Sequence, residues 1–547
     1  MSRERRERGG RLPVRIAIGA ATALVLAGTV YPLANVLAEA ATPAALPRYA
    51  RLLSASDLGI LRNTLVLGLL VATAGTALGL LFAFVQTRLD VPGKRLLHWI
   101  ALIPMVSPPF AVATATVVLY GRRGLVTHGL LGLDYDIYGL DGLVLVLSLS
   151  FFPVAYLGLL GMMRALDPAM EEAAMNLGAS RRRVFRTLIL PLLAPGLAAP
   201  FLLLFVEAIA DLANPLVLGG DYVVLASRAY LAVTGEYDTT AAAVYSLVLL
   251  VPAIGLYLAQ RHWVGRKVRV TVTGKPAGRV HLVEGWARWP FYGLAVLVAL
   301  VIVSLYGTVL AGSVTEVFGV DFTLTLDHLR VALGSEAIAD TTVLAAVATP
   351  IAGLAGLVMA WLAVRHLRAG SGWLDFGGTL GVAVPGTVLG IGYVLAYRSD
   401  VEIGGVTVLP GLVGGGAVAG GSLAIVLAFV VRSVPAGLRT ATGSLAQLHP
   451  SLEEASTGLG ARPFQTFRRV TLPLIRPALL TGLSYGFARC MTSMSTIVFL
   501  VTPDTKIITA QVLSAAGMGY YGVAFAYCTV LTAIVLASLA AIRKVVA

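Results

Sequence analysis

The segment Glu171–Leu197, with the sequence EEAAMNLGASRRRVFRTLILPLLAPGL, decides how the whole chain is interpreted. A related segment, EEASTGLGARPFQTFRRVTLPLIRPAL, returns 282 positions later at Glu453–Leu479. The longer stretches 164–197 and 446–479 align without a gap and share 15 of 34 positions. Each copy is charged at its start and apolar and proline-marked at its end. The chain therefore contains an internal repeat centred on a polar, basic loop.

Composition places the repeat in a membrane protein. Hydrophobic residues make up 57% of the chain and charged residues only 13%, whereas soluble domains carry about a quarter. Because a spanning helix needs roughly 20 apolar residues, we expect an all-α polytopic membrane protein with about twelve transmembrane helices. The first apolar run is predicted to be a retained anchor. The predicted spans are 14–38, 63–86, 97–120, 142–163, 195–218, 240–260, 289–313, 340–363, 374–397, 412–434, 478–501 and 519–542.

Charge distribution orients these spans. The formal net charge is +13, and most Lys and Arg residues fall on the side of the predicted membrane that carries the N-terminus. Since cytoplasmic loops are rich in Lys and Arg, we expect both termini in the cytoplasm and contacts between the basic segments and membrane lipid. Topology accounts for the positive charge, so nucleic acid is not expected as a partner.

The two copies of the repeat divide the chain into halves. Residues 1–260 form a predicted first half, 289–547 a second half, and the basic segment 261–288 joins them. Because an even number of spans separates the copies, the halves have the same orientation and form a parallel repeat. The joining segment is expected to be a cytoplasmic linker held near anionic lipid; the alternating stretch VRVTVT within it leaves a short hairpin open.

Each repeated loop is predicted to be a helix–turn–helix on the cytoplasmic face. In the first copy, Leu166–Ser180 carries Pro168 at its start and Gly178 near its end, and a basic helix follows. The predicted loops span 164–196 and 435–478. One copy alone could be an amphipathic elbow in the lipid headgroups. Two copies about a pseudo-twofold axis are better suited to a partner with twofold symmetry.

The spacing within these loops resembles the EAA loop of ABC importer permeases. Glu172-Ala173-Ala174, Gly178, Leu188 and Leu190-Pro191 match that pattern. The second copy has Glu454-Ala455-Ser456, Gly460, Val470 and Leu472-Pro473, in which Ser456 and Val470 are mild departures. The resemblance implies a type I (MetI-like) permease in which each loop docks on one of two ATPase subunits. It assigns that coupling to Glu171, Glu172, Ala173, Gly178, Glu453, Glu454, Ala455 and Gly460.

Further properties follow from the same resemblance. The chain itself would be no enzyme and hold no cofactor, since ATP and Mg would be bound by the two copies of the ATPase; no P-loop motif occurs in the sequence. A periplasmic or extracellular substrate-binding protein would deliver the cargo to a permease in the bacterial inner membrane. The fused layout, with ADLANPLVLGG at Ala210–Gly220 and MTSMSTIVFLV at Met491–Val501, is similar to iron(III) permeases.

Other functions stay open at this point. Permeases for thiamine and for 2-aminoethylphosphonate share the fused layout, and twelve spans in two parallel halves also describe a secondary transporter. The secondary transporter would need no ATPase and no paired cytoplasmic loops. An integral-membrane enzyme would need a cluster of catalytic side chains, which the sequence does not suggest.

Ionisable residues inside predicted spans are candidates for the translocation pathway or its gate. Glu207 and Asp211 are predicted to share one face of the fifth span, and Asn214 follows close by. Arg489 occupies the repeat position that matches Glu207, so the two are expected to meet at the interface between halves. They form either a structural ion-pair lock or a transient path on which Glu207 and Asp211 offer oxygens to ferric iron. No tightly bound metal is expected.

Overall fold

The computed structural model describes residues 3–54, 57–260, 283, 285–367, 371–403, 405–449, 451–461 and 463–546. Over these residues the chain is mostly helical, which confirms the all-α prediction. Almost all of the predicted linker 261–288, including the VRVTVT stretch, lies outside the described residues.

The first half contains thirteen described α-helices, and their bounds position every element discussed below. They are α1 Arg3–Val25, α2 Tyr31–Ala40, α3 Leu46–Leu52, α4 Leu58–Arg88, α5 Lys94–Leu102, α6 Pro109–Tyr120, α7 Leu140–Ala165, α8 Pro168–Asn176, α9 Arg181–Val184, α10 Leu190–Ala210, α11 Ala213–Leu218, α12 Leu225–Thr234 and α13 Thr239–Ala259.

The second half follows the same order. Its described helices are α14 Arg288–Gly312, α15 Asp327–Leu333, α16 Glu336–Trp361, α17 Ser371–Ala383, α18 Gly386–Tyr397, α19 Ser422–Gln447, α20 Ser451–Gly458, α21 Pro463–Thr466, α22 Leu472–Thr492, α23 Ile508–Gly517 and α24 Tyr521–Val546. Two antiparallel hairpins interrupt it: β1 Thr315–Val317 with β2 Asp321–Leu324, and β3 Val401–Ile403 with β4 Val406–Leu409.

Helix bounds reproduce the sequence repeat residue by residue. The helices α7 and α19 differ by 282 positions at both ends, as do α9 and α21, and α10 and α22. Between α9 and α10, and again between α21 and α22, a five-residue π-helical turn joins the helices at the same offset. The helices α6 and α18 are offset by 277 at both ends. This agreement confirms the predicted duplication.

Small residues let the long helices of each half pack closely. Gly79 on α4 lies against the backbone of α7, where an added Cβ would come within 2.8 Å of the Tyr156 nitrogen. At the equivalent place in the second half, a Cβ on Gly356 of α16 would come within 2.6 Å of the Leu438 nitrogen of α19. In lipid, close backbone approach of this kind supplies the packing that holds helices together.

The leading helix of each half crosses to the other half. Tyr393 and Tyr397 of α18 donate hydrogen bonds to the carbonyl oxygens of Gly28 and Ala27, which lie between α1 and α2. In return, Tyr306 of α14 is 2.5 Å from the hydroxyl of Ser107, just before α6. The two halves therefore share one continuous buried core.

Eight described helices or helix runs are long and apolar enough to span a membrane, and three bent pairs raise that number to eleven. Ten of the predicted spans fall on the following: Val14–Ala40, Leu58–Arg88, Lys94–Met105 with Phe110–Leu130, Leu140–Ala165, Thr239–Ala259, Gly285–Gly312, Glu336–Arg365, Gly372–Ala383 with Gly386–Tyr397, Val418–Gln447 and Tyr521–Ile542. The fifth predicted span falls on the remaining pair, Arg181–Ala194 with Gly196–Ala210.

The structure departs from twelve straight spans in three ways. The fifth span is bent by 52° between Ala194 and Gly196. The third and ninth spans are bent by 107° and 99° at breaks next to Pro108 and Pro385, because proline cannot continue a helix without losing a hydrogen bond. The eleventh predicted span, 478–501, corresponds to α22, which ends at Thr492 and is not among the apolar helices. Its Arg476 and Arg489 lower its hydropathy.

Candidate functional site

The two repeated loops form matching elbows, which we define as α8–α9 and α20–α21. In the first elbow, the Asp167 side chain accepts a hydrogen bond from the Ala169 N–H at 3.0 Å and so caps α8. Gly178 then turns the chain with φ +85°, and Gly460 turns the second elbow with φ +86°. A positive φ of this size favours glycine. The predicted helix–turn–helix is confirmed in both copies.

The first elbow is fixed to the body of its half by a buried ion pair. Arg88, the last residue of α4, donates to both carboxylate oxygens of Glu171 at 2.8 and 2.5 Å. Each side chain is only 7% exposed. Bidentate guanidinium–carboxylate pairs combine strength with a fixed geometry. The carboxylate of Glu171 thus faces α4, and the predicted role of Glu171 in coupling to the ATPase stays a prediction.

A looser version of this contact supports the second elbow. The Nε of Arg365 lies 3.2 Å from Glu453, and the Thr471 hydroxyl donates to the same carboxylate at 3.0 Å. Arg365 also donates to the backbone carbonyl oxygens of Leu445 and Leu448. Glu453 thus also points mainly inward, although its side chain is 26% exposed.

Apolar side chains project outward from the elbows. Leu177 is 89% exposed and its repeat mate Leu459 is 91% exposed. Met170 and its mate Leu452 are half-exposed, and Ala173 and Ala455 are also exposed. On each elbow these residues follow a spacing of three and four positions, which places them on one helix face. Sequence reasoning missed this apolar face because it assigned the contact with the ATPase mainly to the acidic residues.

Glu172, Glu454 and the two turn glycines complete the elbow surface. Glu454, Gly178 and Gly460 are exposed, and Glu172 is half-buried. The structure brings all eight predicted coupling residues into the two elbows, but it directs Glu171 and Glu453 inward. The coupling role of all eight stays a prediction.

The membrane-embedded interface between the halves contains the expected ion pair. The Arg489 guanidinium of α22 donates to Glu207 of α10 at 3.2 Å, and the two side chains are 23% and 28% exposed. Two residues that exchange under a pseudo-twofold axis can touch only near that axis. The pair therefore marks the axis, and both side chains are only partly buried there.

Asp211 and Asn214 are arranged differently from the prediction. The helix α10 ends at Ala210 and Asp211 has an extended backbone, so Glu207 and Asp211 do not share one helix face. The Asp211 carboxylate instead accepts hydrogen bonds from the backbone N–H and the side-chain amide of Asn214, at 3.0 and 2.9 Å. Both residues are buried. This contact fixes the start of α11 after the break.

A second guanidinium lies beside the axial pair and was overlooked in the sequence. Arg432 of α19 is close enough to Arg489 and Glu207 to interact electrostatically with both. Its Nε and Nη1 atoms are buried and have no acceptor among the described residues. The sequence did contain a signal for a functional role of Arg432, because a charged residue within the tenth predicted span is costly in lipid.

Both halves also line a cavity at the opposite end of α7 from the elbows. Its volume is about 1000 Å³, and its walls include Arg122, Asp136, Asp221 and Phe318. Arg122 donates to Asp136 at 2.9 Å. A hydrogen bond from the backbone N–H of Tyr138 lowers the pKa of Asp136, and Arg122 lowers it further. Within the described residues, no group of three or more His, Cys, Asp or Glu side chains is placed to hold a metal ion.

Comparison with known proteins identifies the family. Residues 75–270 and 347–546 both match the model of the binding-protein-dependent transport system inner membrane component. The chain belongs to this family. The two matches fall one in each half, and this membership confirms the fused, two-half permease fold inferred from the repeat.

Individual members of the family match over most of the permease. The ferric transport system permease protein FbpB of Actinobacillus pleuropneumoniae is 34% identical over 87% of this chain and 70% of its own length. The putative ferric transport system permease protein FbpB 1 of Haemophilus influenzae is 33% identical over 82% and 71%. The molybdenum transport system permease protein ModB of Escherichia coli is 31% identical, but over only 31% of this chain.

Proposed function

We propose that this permease supplies both transmembrane halves of an ATP-driven, binding-protein-dependent importer, and that its cargo is ferric iron. Two copies of an ABC ATPase bind the two elbows from the cytoplasm, one on each. A periplasmic or extracellular binding protein delivers the cargo from the other side. Both termini lie in the cytoplasm.

The pairing of the elbows carries this proposal. Their helices end at equivalent repeat positions, and they share a positive φ at the turn glycine, an inward carboxylate and an exposed leucine. A symmetric dimer of ATPase subunits presents two identical surfaces, and this chain offers two equivalent ones. A secondary transporter would have no use for such a pair.

We assign the binding and hydrolysis of ATP to the partner ATPase subunits. The chain has no P-loop motif, so ATP and Mg are bound and hydrolysed on the ATPase subunits. Closure of the two ATPase subunits moves the elbows. The ion pairs of Arg88 with Glu171 and of Arg365 with Glu453 carry that movement to α4 and to the π-helical turn Leu362–His366 that follows α16.

The choice of cargo is supported by the relatives whose names state ferric transport, at 34% and 33% identity over more than four fifths of this chain. The permease, its ATPase and its binding protein should be reconstituted in proteoliposomes and supplied with iron-55 on the binding protein. We expect iron to accumulate only when ATP reaches the ATPase side.

A second variant tests the elbows directly: Leu177→Asp and Leu459→Asp are combined in one permease. This variant should insert normally and lose ATP-dependent uptake. Iron accumulation by the permease without the ATPase would refute the importer class. ATP-dependent uptake of thiamine or 2-aminoethylphosphonate, without iron, would retain the class and replace the cargo.

Orientation can be tested separately. The two natural cysteines, Cys490 and Cys528, are buried, so an introduced surface cysteine is the main target of a charged thiol reagent. Leu177→Cys should be labelled only from the cytoplasmic side and Leu130→Cys only from the outside. The reverse pattern would place the termini outside.

A further inference from the structure

The membrane core holds more positive charge than its partners balance. Glu207 is the carboxylate that faces Arg489, and Arg432 approaches the same pair. Among the described residues, no hydrogen bond or ion pair joins Asp211 to either arginine, and one oxygen of its carboxylate accepts from the backbone and side-chain nitrogens of Asn214. Two guanidinium groups therefore share one carboxylate near the pseudo-twofold axis.

Several buried donors in this cluster have no acceptor among the described residues. They are Nε and Nη1 of Arg432 and Nε of Arg489. A guanidinium is a fork of five N–H donors that fits carboxylate and phosphate oxygens. Leaving such donors unpaired in a buried place is unfavourable, so an acceptor-rich group would stabilise this arrangement.

The start of α18 adds further donors at the same place. A Cβ built on Gly386 would lie 3.2 Å from Nη1 of Arg432 and 2.8 Å from Cβ of Ser495, so the guanidinium, the helix start and the segment after α22 meet there. No side chain of a described residue caps this helix, and Pro385 precedes it. Its first-turn N–H groups and its dipole favour negative charge. Thr387, in that turn, is fully buried, and its hydroxyl has no hydrogen-bond partner in the part of the chain that the structure describes.

The first half shows that the fold does not need this positive cluster. Ser150 occupies the repeat position of Arg432, and its hydroxyl donates to Val146 of its own helix. Phe110 occupies the position of Thr387, and Glu207 that of Arg489. The first half thus builds equivalent packing without a guanidinium at the position of Arg432, so helix packing alone does not account for the charge of Arg432.

We propose that Arg432, Arg489 and the first turn of α18 form a site for an oxyanion group, a carboxylate or a phosphate, on the cargo as it crosses the membrane core. This inference rests on the proposed importer function and deepens it. Bare Fe³⁺ is repelled by two guanidinium groups in a medium of low dielectric constant. Iron therefore crosses as a complex with an anionic chelator, or the transported molecule is an oxyanion that carries no iron.

Transport by the reconstituted complex of permease, ATPase and binding protein tests the site. Arg432→Gln should reduce cargo accumulation at least tenfold, and Arg432→Lys should retain more of it. Arg439→Gln is the matched control, because Arg439 lies on the same helix but is exposed; it should stay within twofold of the wild type. If Arg432→Gln transports normally, the anion site is refuted.

A substitution of similar volume distinguishes loss of the site from misfolding of the permease. Thr387→Val removes one buried hydroxyl at nearly constant volume, and it should reduce accumulation severalfold without lowering the thermal unfolding temperature. Normal accumulation by Thr387→Val and by a folded Arg432→Gln together would overturn the proposal.

Double labelling separates the two sources of the anion. Iron-55 is supplied with carbon-14 citrate in one experiment and with phosphorus-32 phosphate in another, and each labelled anion is also supplied without iron. Accumulation of iron with its labelled anion supports an anionic complex. Accumulation of the anion alone supports the site and contradicts ferric cargo. Accumulation of iron without either anion, unaffected by Arg432→Gln, leaves iron import standing and refutes this inference.

Discussion

Glu207 and Arg489 lie 3.2 Å apart and occupy the same position in the two halves of the chain. One half thus contributes an acid where the other contributes a base. This complementarity stabilises one fused permease, whereas two identical subunits would place two like charges in contact at this point.

Breaking the axial pair should destabilise the assembly of the two halves. Glu207→Gln leaves both Arg489 and Arg432 without a carboxylate, and we expect a loss of about 1–3 kcal/mol in the free energy of unfolding. Combining Glu207→Arg with Arg489→Glu should recover a large part of it. Thermal unfolding of the detergent-solubilised permease measures both. Equal melting temperatures for Glu207→Gln and the wild type would show that the pair contributes little.

The ion pair between Arg88 and Glu171 should contribute more to stability than the equivalent contact between Arg365 and Glu453. Removing one partner of a buried pair costs about 3–5 kcal/mol, so Glu171→Gln should markedly lower the melting temperature. Glu453→Gln, at the looser and more exposed contact, should cost about 1–2 kcal/mol. The apolar double variant with Arg88→Met and Glu171→Leu is the control for stability: it should restore folding while leaving ATP hydrolysis poorly coupled to uptake. A larger loss for Glu453→Gln would contradict this ranking.

Exposed leucines on the elbows should dominate ATPase binding. Leu177→Asp and Leu459→Asp each place a charge on the apolar face, and each should weaken binding of the ATPase about tenfold, or about 1.4 kcal/mol. Leu130→Asp, at the other end of α7, also alters a highly exposed leucine and should have no effect. Co-purification of the tagged ATPase with each variant gives the answer. Undiminished recovery with both elbow variants would remove the apolar face from the interface.

Turn geometry in the elbows should be sensitive to a single methyl group. Gly178→Ala and Gly460→Ala force a residue with a Cβ into the left-handed region at a cost of about 1–2 kcal/mol. No atom of a described residue outside the immediate chain neighbours lies within 4 Å of the added carbon, so the cost arises from the backbone and not from a clash. Reduced ATPase binding is therefore expected, with Gly178→Asn milder than Gly178→Ala. Gly161→Ala on α7 also meets open space but has an ordinary helical backbone, and it should be neutral.

Much of this architecture could be predicted from the sequence because its signals are local or repeated. Hydropathy located the apolar helices, and the offset of 282 fixed the duplication, the elbows and the pairing of Glu207 with Arg489. Where the prediction was wrong, the cause was a change of backbone direction. Asp211 follows the end of α10, and the third and ninth spans bend at prolines, so a uniform helical period did not apply.

By itself, the sequence determined the membrane class, the parallel repeat, the family pattern of the elbows and the residues that meet on the pseudo-twofold axis. Only the tertiary structure decided which way side chains point. Glu171 points inward to Arg88, Leu177 points outward, and Arg432 points toward Glu207, which already pairs with Arg489. The physical reason is that the direction of a charged side chain depends on partners tens or hundreds of positions away. One amino-acid sequence does not show which of these distant residues lie close together in space.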